Sequence, residues 1–334
     1  MINFAINLFK EFNNENIIFS PPSIIATLMM IAAGANGETK KEIESIINSL
    51  PIYKTSKQLK IANRVYISKF IKYYNTYKEK IAKLNADIVQ VDFNNVNQTT
   101  TAINSWINSI TSINNFIKSV NADTCIMFIN ALSFEGEWSK KFKSGDTIIS
   151  DFMISETESV NVPMMSTDLN LNIGHLDDID ARIVEIKYKN NYNMLIIIPN
   201  KVYGIQTVIK SLSSEKITEW VSKMKQQNVS LYLPKFNIDK ELDLKYYLPK
   251  IGINTLFTKP DLSKITDDIV DMPIFIHKAC VKVDEEGTKA AAVSSFSVVY
   301  FSCVEREIVN INKPFIFFIR KNNNISFMGK VISP

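Results

Sequence analysis

Apolar residues recur along this chain with two periods, and each period predicts its own kind of element. Residues 2–12, I-N-F-A-I-N-L-F-K-E-F, carry Phe4, Leu8 and Phe9 at helical spacing and read as an amphipathic helix. Ile17, Ile18 and Phe19 form a short apolar run ended by Ser20, Pro21 and Pro22, which predicts a buried strand. Ser23 is placed to cap an apolar helix over 24–33, and Gly34, Gly37 and Thr39 introduce another over 40–47. Beyond a polar connection at 48–58, the pattern predicts a strand at 59–67, a helix at 73–84 and a strand at 88–93. A helix follows at 99–110, with Ile103, Trp106 and Ile110 on one face. A long apolar strand covers 124–134 and is broken by G-E-W at 136–138. Further strands are predicted at 160–165, 181–188, 193–198 and 229–236, and helices at 205–212 and 214–224. A short helical stretch at 242–251 is closed by Gly252, and 315–319 with 325–331 reads as a hairpin turning at 322–324. Helices gather in the first third and strands later, with neither repeats nor a low-complexity linker. This order predicts a single α+β domain over 1–334.

One stretch carries both periods. Residues 284–301 read D-E-E-G-T-K-A-A-A-V-S-S-F-S-V-V-Y-F, from acidic, through Gly287 and small residues, into an apolar run. In an extended strand Thr288, Ala290, Ala292, Ser294, Phe296 and Val298 share one face, with Lys289, Ala291, Val293, Ser295, Ser297 and Val299 on the other. Its first half nevertheless lacks the branched aliphatics of an ordinary strand. A turn leading into an edge strand has the same local pattern. The mixture equally suits a segment exposed in one state and packed as a strand in another.

Composition narrows the chemistry. The chain has 334 residues, 46% of them hydrophobic, which is ample for a core. Its formal net charge is +4, with no block of Lys and Arg interleaved with aromatics, so no nucleic-acid partner is expected. The N-terminus lacks a basic segment followed by an apolar one, and no apolar run reaches spanning length. Neither a cleaved signal peptide nor a membrane partner is expected. Three cysteines, Cys125, Cys280 and Cys303, do not make a disulfide framework, and the two histidines, His175 and His277, have no ligand-like spacing. No metal and no cofactor is expected. The G-x-S-x-G elbow, the phosphate-binding glycine loop and H-E-x-x-H are all absent. Ser20 or Ser23 with His277 is imaginable as a hydrolytic pair, but Ser23 suits a helix cap and His277 lies in the apolar run F-I-H-K-A-C-V. A buried, hydrogen-bonded histidine is the better reading. An enzyme is not expected.

Motifs in order along nearly the whole chain resemble the serpin family. They include I-I-F-S-P-P-S-I at 17–24, G-A-N-G-E-T at 34–39, F-I-N-A-L-S-F-E-G-E-W at 128–138, V-P-M-M at 162–165 and L-P-K-F at 233–236. D-L-S-K-I at 261–265, I-H-K-A at 276–279, E-E-G-T at 285–288, N-K-P-F at 312–315 and F-M-G-K-V at 327–331 complete the set. The resemblance implies three β-sheets, surrounding helices and a mobile reactive-centre loop, with hinge and loop at 285–303. It places Ser20, Ser23, Asn130 and His277 at the shutter beneath the central sheet. Trp138, Lys235 and Glu285 fall at the breach, where the loop enters, Lys235 and Glu285 as an ion pair. Gly287, Thr288, Lys289, Ala290, Ala291 and Ala292 form the hinge. Only about ten residues separate the helix ending near Ile47 from the strand at 59, so the family's fourth helix is expected to be missing or vestigial.

The function so implied is a suicide-type trap. A protease cleaves the loop, the loop inserts as a new strand, and the acyl-enzyme is stranded before water completes the reaction. Counting from Gly287 makes Phe301 the residue before the reactive bond and Ser302 the one after it; a hinge one residue shorter moves the first to Tyr300. Either aromatic ring suits the deep apolar pocket of a chymotrypsin-like serine protease, so a host enzyme of that kind, cathepsin G-like, is the expected partner. The alternatives are a cross-class inhibitor of cysteine proteases and a non-inhibitory serpin that binds another protein. The short connection and the start near the first helix resemble the compact intracellular serpins of poxviruses. They imply a monomer acting in the cytoplasm of an infected host cell.

Overall fold

Three groups of buried apolar side chains hold the layers together: one under the N-terminal helices, one between the sheets, and one beneath the helix at 96–111. The computed structural model describes residues 2–12, 14–47, 56–271, 273–288 and 306–334. Helix Ile2–Lys10 buries Phe4, Ala5, Ile6, Leu8 and Phe9. Phe12, just beyond it, meets Phe19 edge-on at 5.2 Å between ring centroids.

The second helix runs Pro21–Gly34 and so starts before the predicted Ser23 cap. Proline has no N–H to lose in a first turn and its φ is already helical, so Pro21 and Pro22 open the helix as well as ending the strand. Ser20 takes the cap position without a side-chain hydrogen bond, and Ser23 is left inside the first turn. At the other end, a Cβ on Gly34 would lie 2.2 Å from Ile265 Cγ1, so only glycine lets the chain pass there.

Backbone pairing sorts the described strands into two sheets. The seven-stranded sheet runs Asp87–Val91, Leu59–Ser68, Ile126–Phe134, Ile274–Asp284, Gly287–Thr288 and Gly136–Glu137, with Phe236–Asp243 also on Ile274–Asp284. Every residue of Ile126–Phe134 is buried, as a central strand covered on both faces requires. It is antiparallel to Leu59–Ser68, with Asn63 opposite Asn130, and parallel to Ile274–Asp284, with His277 opposite Asn130. Helix Val96–Thr111 covers part of this sheet through Ile103 and Ile107. The predicted face had Trp106 and Ile110 instead of Ile107. Those two are only partly buried, and Trp106 lies under the Arg64 guanidinium, 3.8 Å from the ring centroid.

The nine-stranded sheet is ordered Ile17–Phe19, Asn324–Val331, Phe315–Lys321, Tyr192–Pro199, Ala181–Lys187, Ser159–Leu176, Lys225–Pro234 and Glu307–Asn310. Ser159–Leu176 also carries Ile148–Met153 on its first residues. This 18-residue strand continues well past the predicted 160–165 and ties both halves into one bonded network. The predicted strand at 229–236 is divided at Lys235. Residues up to Pro234 pair in the larger sheet, and Phe236 onward pairs with Val283 and its neighbours in the smaller one. The stretch 242–251 forms two 3-10 turns, Leu244–Tyr246 and Leu248–Ile251, because Pro249 supplies no N–H for a longer helix. Residues 48–55, on which the fourth helix turns, lie outside the described residues. Among the described residues no helix is long and apolar enough to cross a membrane.

Candidate functional site

The parallel pair Ile126–Phe134 and Ile274–Asp284 is hydrogen-bonded from Met127↔Ile274 to Ser133↔Cys280. Two polar groupings lie along it, one beneath its middle and one at its upper end.

In the middle, His277 is fully buried. The Ser20 backbone N–H donates to its Nε2 at 3.1 Å, which makes Nε2 the acceptor and leaves the ring proton on Nδ1. Nδ1 is 2.5 Å from Asn130 Oδ1 and donates to it. The Asn130 amide then donates to both Ser23 Oγ and Asn63 Oδ1. The helix start at Pro21 and three adjacent strands are thereby joined through one chain of hydrogen bonds. Burial lowers the His277 pKa to about 3, so the ring is neutral near pH 7. It has no free nitrogen with which to draw a proton from a serine hydroxyl. Ser20 Oγ is buried and has no hydrogen-bond partner among the described residues. Of the four residues expected at the shutter, His277, Asn130 and Ser23 meet through side chains and Ser20 through its backbone. Asn63 is a further member of this hydrogen-bonded chain that sequence reasoning missed; with Lys60 and Arg64 in the same strand, nothing local marked it out.

At the upper end the strands part. Val283 and Asp284 pair with Thr288 and Gly287, and these pair in turn with Gly136 and Glu137. Two residues thus sit as a wedge in the mouth of the sheet. Gly287 has φ +146°, and a Cβ there would lie 2.1 Å from the Gly136 carbonyl oxygen. No other residue fits that turn. Thr288 is fully buried, and its hydroxyl is 2.7 Å from the Tyr188 hydroxyl.

Trp138 closes the wedge from one side. Its indole N–H donates to the Asp284 carbonyl at 2.9 Å, its backbone N–H donates to the Glu286 carbonyl at 3.0 Å, and its ring stacks on Tyr188 with centroids 4.2 Å apart. From the other side Lys235 Nζ donates to Glu285 Oε2 at 2.8 Å, and Thr147 donates to Oε1 at 2.8 Å. Burial pushes the Glu285 carboxyl up, but the hydrogen bonds from Lys235, the backbone and Thr147 outweigh it and hold the pKa below the usual range. Lys235 is placed here because the chain changes sheets at that residue. Tyr188 and Thr147 were not anticipated; an aromatic at the end of a predicted strand was the one visible hint.

The wedge and the strand Glu307–Asn310 mark the two ends of the candidate loop. Arg306 is paired with Asp168, and Glu307–Asn310 lies parallel to Lys225–Pro234 in the other sheet. Lys289, Ala290, Ala291, Ala292, Tyr300, Phe301 and Ser302 fall outside the described residues. Of the face expected to turn inward, Thr288 alone is described, and it is inward. Among the described residues no cluster of His, Cys, Asp and Glu has a metal-binding arrangement.

A family model described as Serpin (serine protease inhibitor) matches residues 1–334. The chain is 31% identical to human Serpin B13, covering 99% of this chain and 97% of that protein. It is also 31% identical to serine proteinase inhibitor 1 of Vaccinia virus strain Western Reserve, over 98% of this chain and 100% of the viral protein. Among solved structures, human thyroxine-binding globulin superposes with a TM-score of 0.89 at 27% identity, covering 100% of this chain and 97% of that one. Family membership makes the chain a protease-inhibitory protein and not an enzyme. The relatives support viral, host–virus and intracellular character, and the poxvirus likeness is consistent with a cytoplasmic location.

One expectation is corrected. As a group, Serpin B13 and the poxvirus relatives point to cysteine-protease targets met by cross-class inhibition, not to a chymotrypsin-like or cathepsin G-like serine protease. The physical reason lies in what an aromatic residue before the scissile bond specifies. It selects the shape of the pocket that receives it, and the same pocket can stand beside a serine hydroxyl or a cysteine thiolate.

Proposed function

Because the chain belongs to the serpin family, we propose that it is an irreversible, suicide-type inhibitor of a cysteine protease that traps the acyl-enzyme by loop insertion. The reactive bond is Phe301–Ser302, with Tyr300 as the alternative residue before the bond. The protease thiolate attacks the carbonyl carbon of that residue and the peptide C–N bond breaks. The new amine leaves with a proton from the enzyme's general acid, and a thioester remains. Insertion of the freed loop beside Ile274–Asp284 then carries the enzyme away before water attacks.

The seating of Gly287–Thr288 is the observation that carries this reading. A small, uncharged side chain already occupies the first inward position, with backbone pairs to both neighbouring strands. Continuation of that strand requires the pairs from Met127↔Ile274 to Ser133↔Cys280 to separate. In this reading Ser20, Ser23, Asn130 and His277 serve as the shutter that those pairs cover. Trp138, Lys235 and Glu285 serve as the breach. Gly287, Thr288, Lys289, Ala290, Ala291 and Ala292 serve as the hinge of a loop at 285–303 within one domain, 1–334. The nine-stranded network corresponds to the family's second and third sheets, joined through Ser159–Leu176, and the short connection after Ile46 corresponds to a missing or vestigial fourth helix. Likeness to the poxvirus proteins supports a monomer that protects an infected host cell from its own proteases, acting in the cytoplasm.

Incubation with papain and with a cathepsin L-type enzyme tests the proposal. Protease activity is followed after large dilution, and the C-terminal fragment is sized by mass spectrometry under denaturing conditions. Inhibition that survives dilution, with a fragment beginning at Ser302 or Phe301 and a rise in Tm, is expected. Complete cleavage with full recovery of protease activity and no rise in Tm would overturn the trap and favour a protein-binding role.

A further inference from the structure

Away from the sites above, a hollow of about 550 Å3 opens between the end of helix Pro21–Gly34, helix Gly37–Ile46 and helix Asn75–Ala82. Its floor is apolar. Met29, Ala32, Ala33, Ile47 and Leu84 line it and pack from below on the main core. The two alanines give it depth, since a larger side chain at either position would occupy the space. Among the described residues, Lys40, Lys80, Lys83 and Lys264 also line the hollow, against one acid, Glu44.

These cations are not all engaged. Lys40 Nζ is 3.6 Å from Glu44, and Lys80 Nζ donates to the Ala33 carbonyl at 3.4 Å. Among the described residues, Lys83 and Lys264 have no carboxylate within ion-pair distance, and both are exposed. Lysine stems extend an apolar wall while their ammonium groups stay in water at its edge. The hollow therefore offers a dry floor below and excess positive charge above, at a volume within the roughly 300–1,000 Å3 of small-ligand sites.

We propose that this hollow binds a monomeric anionic amphiphile, a long-chain carboxylate whose tail covers the alanine floor and whose head lies between Lys83 and Lys264. A neutral tail alone would gain the floor but forgo the charge, and a small anion would gain the charge but forgo the floor. A bilayer surface is a poorer match, because the apolar residues line a concavity and do not form a protruding face. The site is independent of the loop and of the trapping reaction.

Titration calorimetry on the full chain tests the proposal, using laurate, dodecanol and acetate as probes below micellar concentration. Laurate is expected to bind at one site and to raise Tm. Dodecanol and acetate are each expected to bind at least about tenfold more weakly. The double variant Lys83→Glu and Lys264→Glu changes two exposed side chains, so it should fold normally and lose laurate affinity by about tenfold or more. Ala33→Leu should weaken laurate and leave the lysines untouched. Equal binding of laurate and dodecanol would overturn the role of the lysines. Tight binding of a short sulfated oligosaccharide or of anionic vesicles, without binding of monomeric laurate, would reassign the lysines to a plain anion surface and overturn the proposal. Unchanged laurate affinity in both variants would place the ligand elsewhere.

Discussion

His277 has both ring nitrogens committed, one accepting from Ser20 N–H and one donating to Asn130, and protonation would break the first of these bonds inside a buried space. Its folded pKa, about 3, lies below its ordinary value of 6.5. Between those values the unfolded chain binds the extra proton, so stability is full above about 6.5 and is lost as pH falls toward about 3. Urea midpoints measured at pH 7.5, 6, 5 and 4 should therefore fall progressively in the wild type. In His277→Gln the fall should be shallower, although that variant starts lower by roughly 1–3 kcal/mol because Ser20 N–H or Asn130 loses a partner. An equally steep fall in the variant would show that other groups set the acid response. The histidine was legible in the sequence as a satisfied core residue because F-I-H-K-A-C-V sets it in a mainly apolar strand. The tautomer and Asn63 were not legible, because both depend on which strands lie side by side.

At the scale of the element, the two-residue strand Gly287–Thr288 has the decisive register. Alternation along 288–298 was readable from the sequence, and Thr288 has the inward orientation that it predicts. Tyr188 as its hydrogen-bond partner was not readable, since that residue arrives from the other sheet through a single bridge to Trp138. Thr288→Arg should leave the loop cleavable but place a cation where the side chain is now fully buried, facing the Tyr188 hydroxyl and the backbone of Gly136. Against the target protease this variant should be turned over as a substrate, with the number of inhibitor molecules consumed per enzyme rising several-fold or inhibition vanishing. The same titration with Thr288→Ser should match the wild type. Loss of inhibition in both would point to a general defect of folding. Other elements were misjudged for local reasons. The pattern in S-T-D-L-N-L-N-I alternates faithfully through 166–173, yet its many polar residues resemble a loop, and so most of Ser159–Leu176 was missed. The crossing at Lys235 was missed because both sides of it read as one strand.

For the whole molecule, the arrangement that matters is the place of the C-terminal hairpin. Asn324–Val331 and Phe315–Lys321 lie between Ile17–Phe19 and Tyr192–Pro199, and Asn16 accepts from the backbone of Ile332 and Ser333. Phe315, Phe317 and Phe327 are fully buried there. The hairpin itself was legible from two mainly apolar runs on either side of an Asn-rich turn. Its position in mid-sheet was not, because no local signal names the neighbours of a strand. A chain ending at residue 310 should lack native structure by near-UV circular dichroism and be digested quickly by a low dose of protease. A chain merely nicked between 288 and 306 should keep its last strands attached until denatured. Native signal from the shortened chain would contradict this account.

The same placement sets a schedule for biosynthesis. Ile17–Phe19 leaves the ribosome about three hundred residues before its partner, Asn324–Val331. At about 5–20 residues per second, roughly 15–60 seconds pass before the two can meet. From its own synthesis until Phe315–Lys321 follows it, Tyr192–Pro199 is without that neighbour and presents an open, almost wholly apolar edge. This sheet cannot close before Asn324–Val331 has been made, so the cell that produces the chain must shelter its earlier strands until then.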